Sequence, residues 1–97
     1  MLRLVSYDIE NDKVRTKTAK VLLREGFERI QFSVFVGEVD QLQWKDIWDK
    51  IGQYTSGKLG QGDQICSFII GPEQFRKLQI LGDAPDIDYI MGEKIVL

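Results

Sequence analysis

What most constrains the fold of this 97-residue chain is the way its hydrophobic period switches between two and 3.6. Leu2 to Ile9 is short, apolar and rich in β-formers, and reads as a strand. At about 100° per residue, Val14, Thr18, Val21 and Leu22 then fall within an arc of about 100°, which is a helical stripe. Asn11 and Asp12 are N-cap candidates and Gly26 is a C′ stop, so a helix is expected from about Lys13 to Glu25. Phe27 to Val39 returns to alternation, with Phe27, Arg29, Gln31 and Ser33 on one side and Ile30, Phe32, Val34 and Val36 on the other. That run exceeds one typical strand of about five or six residues, so two strands with a bend near Gln31 to Ser33 are expected. Asp40 and Gln43 resemble a capping box. They open a helix from about Gln41 to Tyr54, in which Trp44, Ile47, Trp48, Ile51 and Tyr54 share an arc of about 120°. Ser56 to Gly62 reads as a loop. Gln64 to Ile70 reads as an apolar strand buried on both faces. Gly71-Pro72 breaks it, Glu73 to Lys77 could form a helical turn, and Leu78 to Leu81 a last short strand.

The order β-α-β-β-α-β plus an extra C-terminal strand is an α+β, ferredoxin-like arrangement. One domain is expected over 1–97, with a core of about 1–81 and a tail, 82–97, ending in Ile95-Val96-Leu97 and placed at a dimer or partner interface. Two helices can cover only one face of the sheet. A chain this short buries about 60–65% of its unfolded surface, so a homodimer is an economical cover for the other face.

Composition limits the chemistry. There is no histidine and one cysteine, Cys66. A Ser-His-Asp triad, an imidazole metal site, an intrachain disulfide and a thiolate zinc site are therefore excluded. A carboxylate with a hard metal ion is the chemistry left to a catalyst. No apolar run approaches the roughly 20 residues of a membrane span, and the N-terminus lacks a signal-peptide core, so a cytoplasmic protein is expected. Net charge is −2, yet Lys13, Arg15, Lys17, Lys20 and Arg24 form a run of five bases without an acid. Lys13, Lys17, Lys20 and Arg24 share an arc of about 60°, while Arg15 projects nearer the Leu22 edge.

Each candidate site has a plain structural reading beside the functional one. Asp8 ends the first strand. It could be an exposed acid or the partner of Arg3 or Arg15. Two copies across a twofold axis could instead hold Mg2+, which keeps several waters and takes one or two carboxylates. The Asp8, Glu10, Asp12 spacing lacks the Gly and distant Glu of a calcium loop. The basic stripe could be a solvated helix face or a track for a phosphate backbone. Gly57-Lys58-Leu59-Gly60-Gln61-Gly62 follows a helix and precedes a strand, the reverse of a phosphate-binding loop, and reads as a connection. Trp44, Trp48 and Tyr54 fit core packing better than base stacking, and Cys66 reads as an inert core residue.

Three passages carry a resemblance: Tyr7-Asp8-Ile9 followed by Asp12-Lys13-Val14-Arg15; Gly26 to Gly37, with its Arg29-Ile30-Gln31-Phe32-Ser33-Val34-Phe35; and Glu73-Gln74-Phe75-Arg76. Together they resemble the CRISPR-associated protein 2 family over nearly the whole chain to about Leu81. The resemblance implies a ferredoxin-like homodimer whose final strand pads the partner's sheet. It implies Mg2+-dependent (or other divalent-cation-dependent) cleavage of single-stranded RNA or double-stranded DNA in some members. It also implies a place in spacer acquisition, bridging dimers of the CRISPR-associated protein 1 integrase. The metal-binding Asp maps to Asp8 and its neighbouring aromatic to Tyr7. The basic residues map to Arg15, Lys17 and Arg29, and the Ser-Val-Phe to Ser33 and Phe35. Three readings stand side by side: a metal-dependent phosphodiesterase using Asp8, with Arg15 or Arg29 positioning phosphate; a non-catalytic adaptor holding duplex DNA on its basic helix; and a ferredoxin-like regulatory dimer for a small ligand.

Overall fold

The computed structural model describes residues 1–90. Strand β1 (Leu2–Asp8) leads into helix α1 (Asp12–Arg24). Asn11 caps that helix, its side-chain oxygen accepting from the Val14 N–H at 3.0 Å, which satisfies one of the orphan donors of the first turn. At the other end Gly26 takes φ +87°. The Gly26 N–H reaches the Leu23 carbonyl and the Phe27 N–H the Leu22 carbonyl, the bond pair of a Schellman stop. Strands β2 (Glu28–Gln31) and β3 (Val34–Glu38) follow. Helix α2 (Gln41–Thr55) opens on the expected capping box: Asp40 accepts from the Gln43 N–H at 2.8 Å, and Gln43 accepts from the Asp40 N–H at 3.0 Å. Strand β4 (Gln64–Ile69), a short helix α3 (Pro72–Arg76) and a single helical turn at Ile87–Tyr89 complete the described elements.

The sheet is antiparallel throughout, in the order β2-β3-β1-β4, the ferredoxin-like order. Its two faces are packed differently. Val5, Tyr7, Phe27 and Phe35 meet Val14, Leu22, Ile47 and Ile51 in the core between sheet and helices. Gly37 is required there, because a Cβ would stand 2.7 Å from the Phe27 ring. On the opposite face Leu2, Ile30, Val36, Phe75 and Ile90 form a second cluster, with Leu4, Val34, Ile80 and Ile87 against it. The segment after β4 thus folds back over part of its own sheet.

Several expectations are corrected. β4 is not buried on both faces: it is an edge strand, and Phe68 and Ile69 are 51% and 56% exposed. Cys66, paired with Ser6 across the ladder, is an exposed free thiol rather than a core residue. Leu78–Leu81 forms no strand; its side chains line a groove with Leu4, Ile30 and Val34. Trp48 is 39% exposed, its ring tilted against that of the half-buried Trp44 at 5.4 Å rather than sunk in the core. Phe32 does not share a face with Ile30, Val34 and Val36. It lies with Ser33 in the turn between β2 and β3, outside the strands, just past a register irregularity between Arg29 and Gln31. Of the tail expected at an interface, residues 91–97, including Ile95 to Leu97, lie outside the described residues. No helix among the described residues is long and apolar enough to cross a membrane.

Candidate active site and nucleic-acid surface

Strand alternation separates Tyr7 from Asp8. Tyr7 points into the helix-side core, where its ring lies 5.9 Å from that of Phe35 and its hydroxyl donates to the Phe32 carbonyl at 3.4 Å. Asp8 is the last residue of β1, paired in register with Gln64, and is exposed. Its carboxylate accepts no hydrogen bond and meets no cation among the described residues. The neighbouring acids are committed elsewhere. Asp12 pairs with Arg15, and Asp63 accepts from the N–H groups of Glu10 and Gly60. The expected partners of Asp8 are also engaged: Arg3 lies over Trp44 at 4.6 Å, and Arg15 donates to the carbonyls of Ile9 at 2.9 Å and Glu10 at 3.2 Å.

Arg15, Arg29 and Phe32 converge on the helix side of the same sheet end. The Arg29 guanidinium stands 4.9 Å from the ring of Phe35 and 5.4 Å from that of Phe32, and that of Arg15 stands 6.0 Å from Phe32. Together with Tyr7, Thr16 and Lys20 they line an open cleft of about 480 Å³. Phe35 is fully buried, so it supports Arg29 from beneath rather than forming part of an exposed site wall. Ser33 sits in the β2–β3 turn, its carbonyl accepting from the Tyr7 N–H at 3.1 Å. The sequence-derived residues therefore fall in two groups at one end of the sheet: Asp8 on the outer face, and Tyr7, Arg15, Arg29 and Phe35 on the helix side.

Lys13, Lys17, Lys20 and Arg24 are exposed along α1, and none makes an ion pair among the described residues. α2 is different. A hydrogen bond to Asp49 holds Lys45, and one to Glu25 holds Lys50, above the usual ammonium value. Lys17 instead lies 5.4 Å from the Tyr54 ring, and Lys58 lies 4.1 Å from it on the α2–β4 connection. Phe32 and the Lys58–Tyr54 pair were missed in the sequence. The first lies in the turn between β2 and β3, which no Asn-Gly-type turn signal marks. The second belongs to a loop that carries no binding motif.

Among the described residues no three His, Cys, Asp or Glu side chains cluster as a metal cage. A lone, unpaired, exposed carboxylate still fits a cation that retains most of its waters, and a second chain would double the oxygens.

Residues 1–78 match the family described as CRISPR associated protein Cas2. The CRISPR-associated endoribonuclease Cas2 2 of Pyrobaculum aerophilum is 44% identical over 57 residues, covering 59% of this chain and 63% of the relative. The CRISPR-associated endoribonuclease Cas2 of Aeropyrum pernix is 34% identical over 80 residues, covering 81% of this chain and 83% of the relative. The crystal structure of Streptococcus pyogenes Cas2 matches with a TM-score of 0.71 at 29% identity, covering 84% of this chain and all of that one. The antiparallel β2-β3-β1-β4 sheet, the strand-end Asp8 and the Arg29-to-Phe35 segment all lie within the matched residues, and the chain belongs to the CRISPR-associated protein Cas2 family.

Proposed function

We propose that this protein is a CRISPR-associated endonuclease that cuts phosphodiester bonds with a divalent cation, Mg2+ by preference, held at Asp8. The observation that carries the reading is the unpaired, exposed Asp8 carboxylate at the end of β1, at the same end of the sheet as the Arg15, Arg29 and Lys20 cleft on the helix side. The names of the relatives, endoribonucleases, support nucleic acid as substrate. When bound, the cation would polarise a phosphoryl oxygen and lower the pKa of a bound water. The chain's own residues do the rest. Asp8 supplies the anchoring oxygen. Arg15, fixed by two carbonyls and Asp12, and Arg29, backed by Phe35, hold phosphate and offset charge that develops on it. Single-stranded RNA and double-stranded DNA are the candidate substrates.

The working unit is a homodimer. Phe68 and Ile69 leave apolar surface on the edge strand β4, as a second chain would need for docking. Two Asp8 carboxylates brought together across its axis would hold one cation.

A second reading has its own support: the α1 bases lack acidic partners, which suits a non-catalytic adaptor. In that role the dimer holds duplex DNA on α1 and bridges the CRISPR-associated protein 1 integrase in spacer acquisition. Cleavage of labelled single-stranded RNA and duplex DNA, in Mg2+ and in EDTA, separates the two. The nuclease reading expects cleavage that EDTA abolishes. Binding without cleavage across a pH and metal series leaves the adaptor.

A further inference from the structure

Phe32 is 69% exposed, the most exposed aromatic ring among the described residues. Its place is specific. It sits in the turn between β2 and β3, and the guanidinium groups of Arg29 and Arg15 stand 5.4 and 6.0 Å from its centroid. At those separations both cations lie over the ring within cation–π range, about 6 Å of the centroid, while its exposure leaves most of the side chain open to solvent. Both guanidiniums are held, Arg29 on Phe35 and Arg15 on the carbonyls of Ile9 and Glu10. Lys20 and Thr16 line the same 480 Å³ cleft. A largely exposed aromatic ring with two fixed guanidiniums beside it is the arrangement that takes a nucleobase by stacking and its flanking phosphates by charge.

We propose that Phe32 is the stacking platform for an unpaired nucleobase, and that it selects single-stranded over duplex nucleic acid. This rests on the nucleic-acid reading above and deepens it. A base inside a duplex has both faces occupied and cannot use the ring. A single strand can, and Arg15 and Arg29 then hold the phosphates on either side of the stacked base.

The test is binding in EDTA, so that it does not depend on cleavage. The probe is a single-stranded RNA oligonucleotide carrying 2-aminopurine, whose fluorescence is quenched on stacking, with a duplex DNA of equal length as control. Wild type is compared with Phe32→Ala, Phe32→Leu and Phe32→Trp, with circular dichroism and light scattering on each. Expected are quenching by wild type and Phe32→Trp, its loss in Phe32→Ala and Phe32→Leu, and single-strand affinity weakened roughly tenfold, the scale of one lost base stack, with duplex affinity unchanged. Equal single-strand affinity and quenching in Phe32→Ala and wild type overturns the proposal. So does a parallel loss for both probes, or a change of oligomeric state, which would make Phe32 a protein contact. Wild type that stacks the probe but never cuts RNA or DNA in Mg2+ would remove the nuclease reading and leave the platform standing.

Discussion

Arg29 and Phe35 face each other across the β2–β3 ladder, and the guanidinium carbon lies 4.9 Å from the ring centroid. A fully buried ring thus carries an exposed arginine. The pair joins the core to the proposed phosphate-binding surface, so its two halves respond differently to substitution. Phe35→Ala should lower unfolding free energy by about 3–5 kcal/mol, the range for a buried Phe, measured by urea denaturation. Arg29→Lys should leave stability within about 0.5 kcal/mol while reducing cleavage roughly tenfold, because Lys lacks the planar fork that grips phosphate. Unchanged cleavage in Arg29→Lys would remove Arg29 from phosphate binding.

Lys17 and Lys20 lie on the exposed α1 face without acidic partners. Reversing both to Glu should weaken duplex DNA binding and flatten its salt dependence, since each phosphate contact contributes about 0.9 to the slope of log K against log salt. The measurement is a salt titration of binding anisotropy. A slope identical to wild type would place the DNA elsewhere.

Phe68 is half exposed on the edge strand, on the same face as Leu4, its partner across the ladder. If that face docks a second chain, Phe68→Glu buries a charge at the interface and should convert the dimer to monomer in sedimentation velocity at micromolar concentration. A variant that sediments as wild type would show that dimerisation, where present, uses another surface.

Gly37 and Phe27 make a tight contact: a methyl group at Gly37 would stand 2.7 Å from the ring. Gly37→Ala should therefore destabilise by about 1–3 kcal/mol, the usual result of overpacking, read as a fall in thermal midpoint. The effect should shrink in Gly37→Ala with Phe27→Leu, because the smaller side chain leaves room. Additive losses would mean that the Phe27 ring is not the obstacle.

Both helices were legible because their ends are written locally. Asn11, Gly26 and the Asp40–Gln43 pair satisfy terminal backbone groups within a few residues of themselves. The sheet order followed from the sequence of periods. What stayed hidden depended on neighbours distant in sequence. β4 has the composition of a central strand, and only its pairing with β1 alone makes it an edge, which exposes Cys66 and Phe68. Phe32 and Ser33 form the turn between β2 and β3, so the alternation that holds for Ile30, Val34 and Val36 does not place Phe32. Among the site residues, Asp8, Arg15 and Arg29 could be named from a motif resemblance. That Tyr7 and Phe35 would be buried supports, on the face away from Asp8, follows from the pleat and the helix packing.

The most direct test is Asp8→Asn, which removes the carboxylate charge but keeps shape and most hydrogen-bonding capacity. It should be purified beside wild type and assayed with labelled single-stranded RNA and duplex DNA in Mg2+, with binding to both measured in EDTA. Cleavage by wild type that falls at least a hundredfold in Asp8→Asn, with affinity held within about twofold, is the predicted result; a carboxylate that anchors a catalytic cation contributes several kcal/mol to transition-state stabilisation. Equal cleavage by the two proteins would contradict a cation-holding role for Asp8.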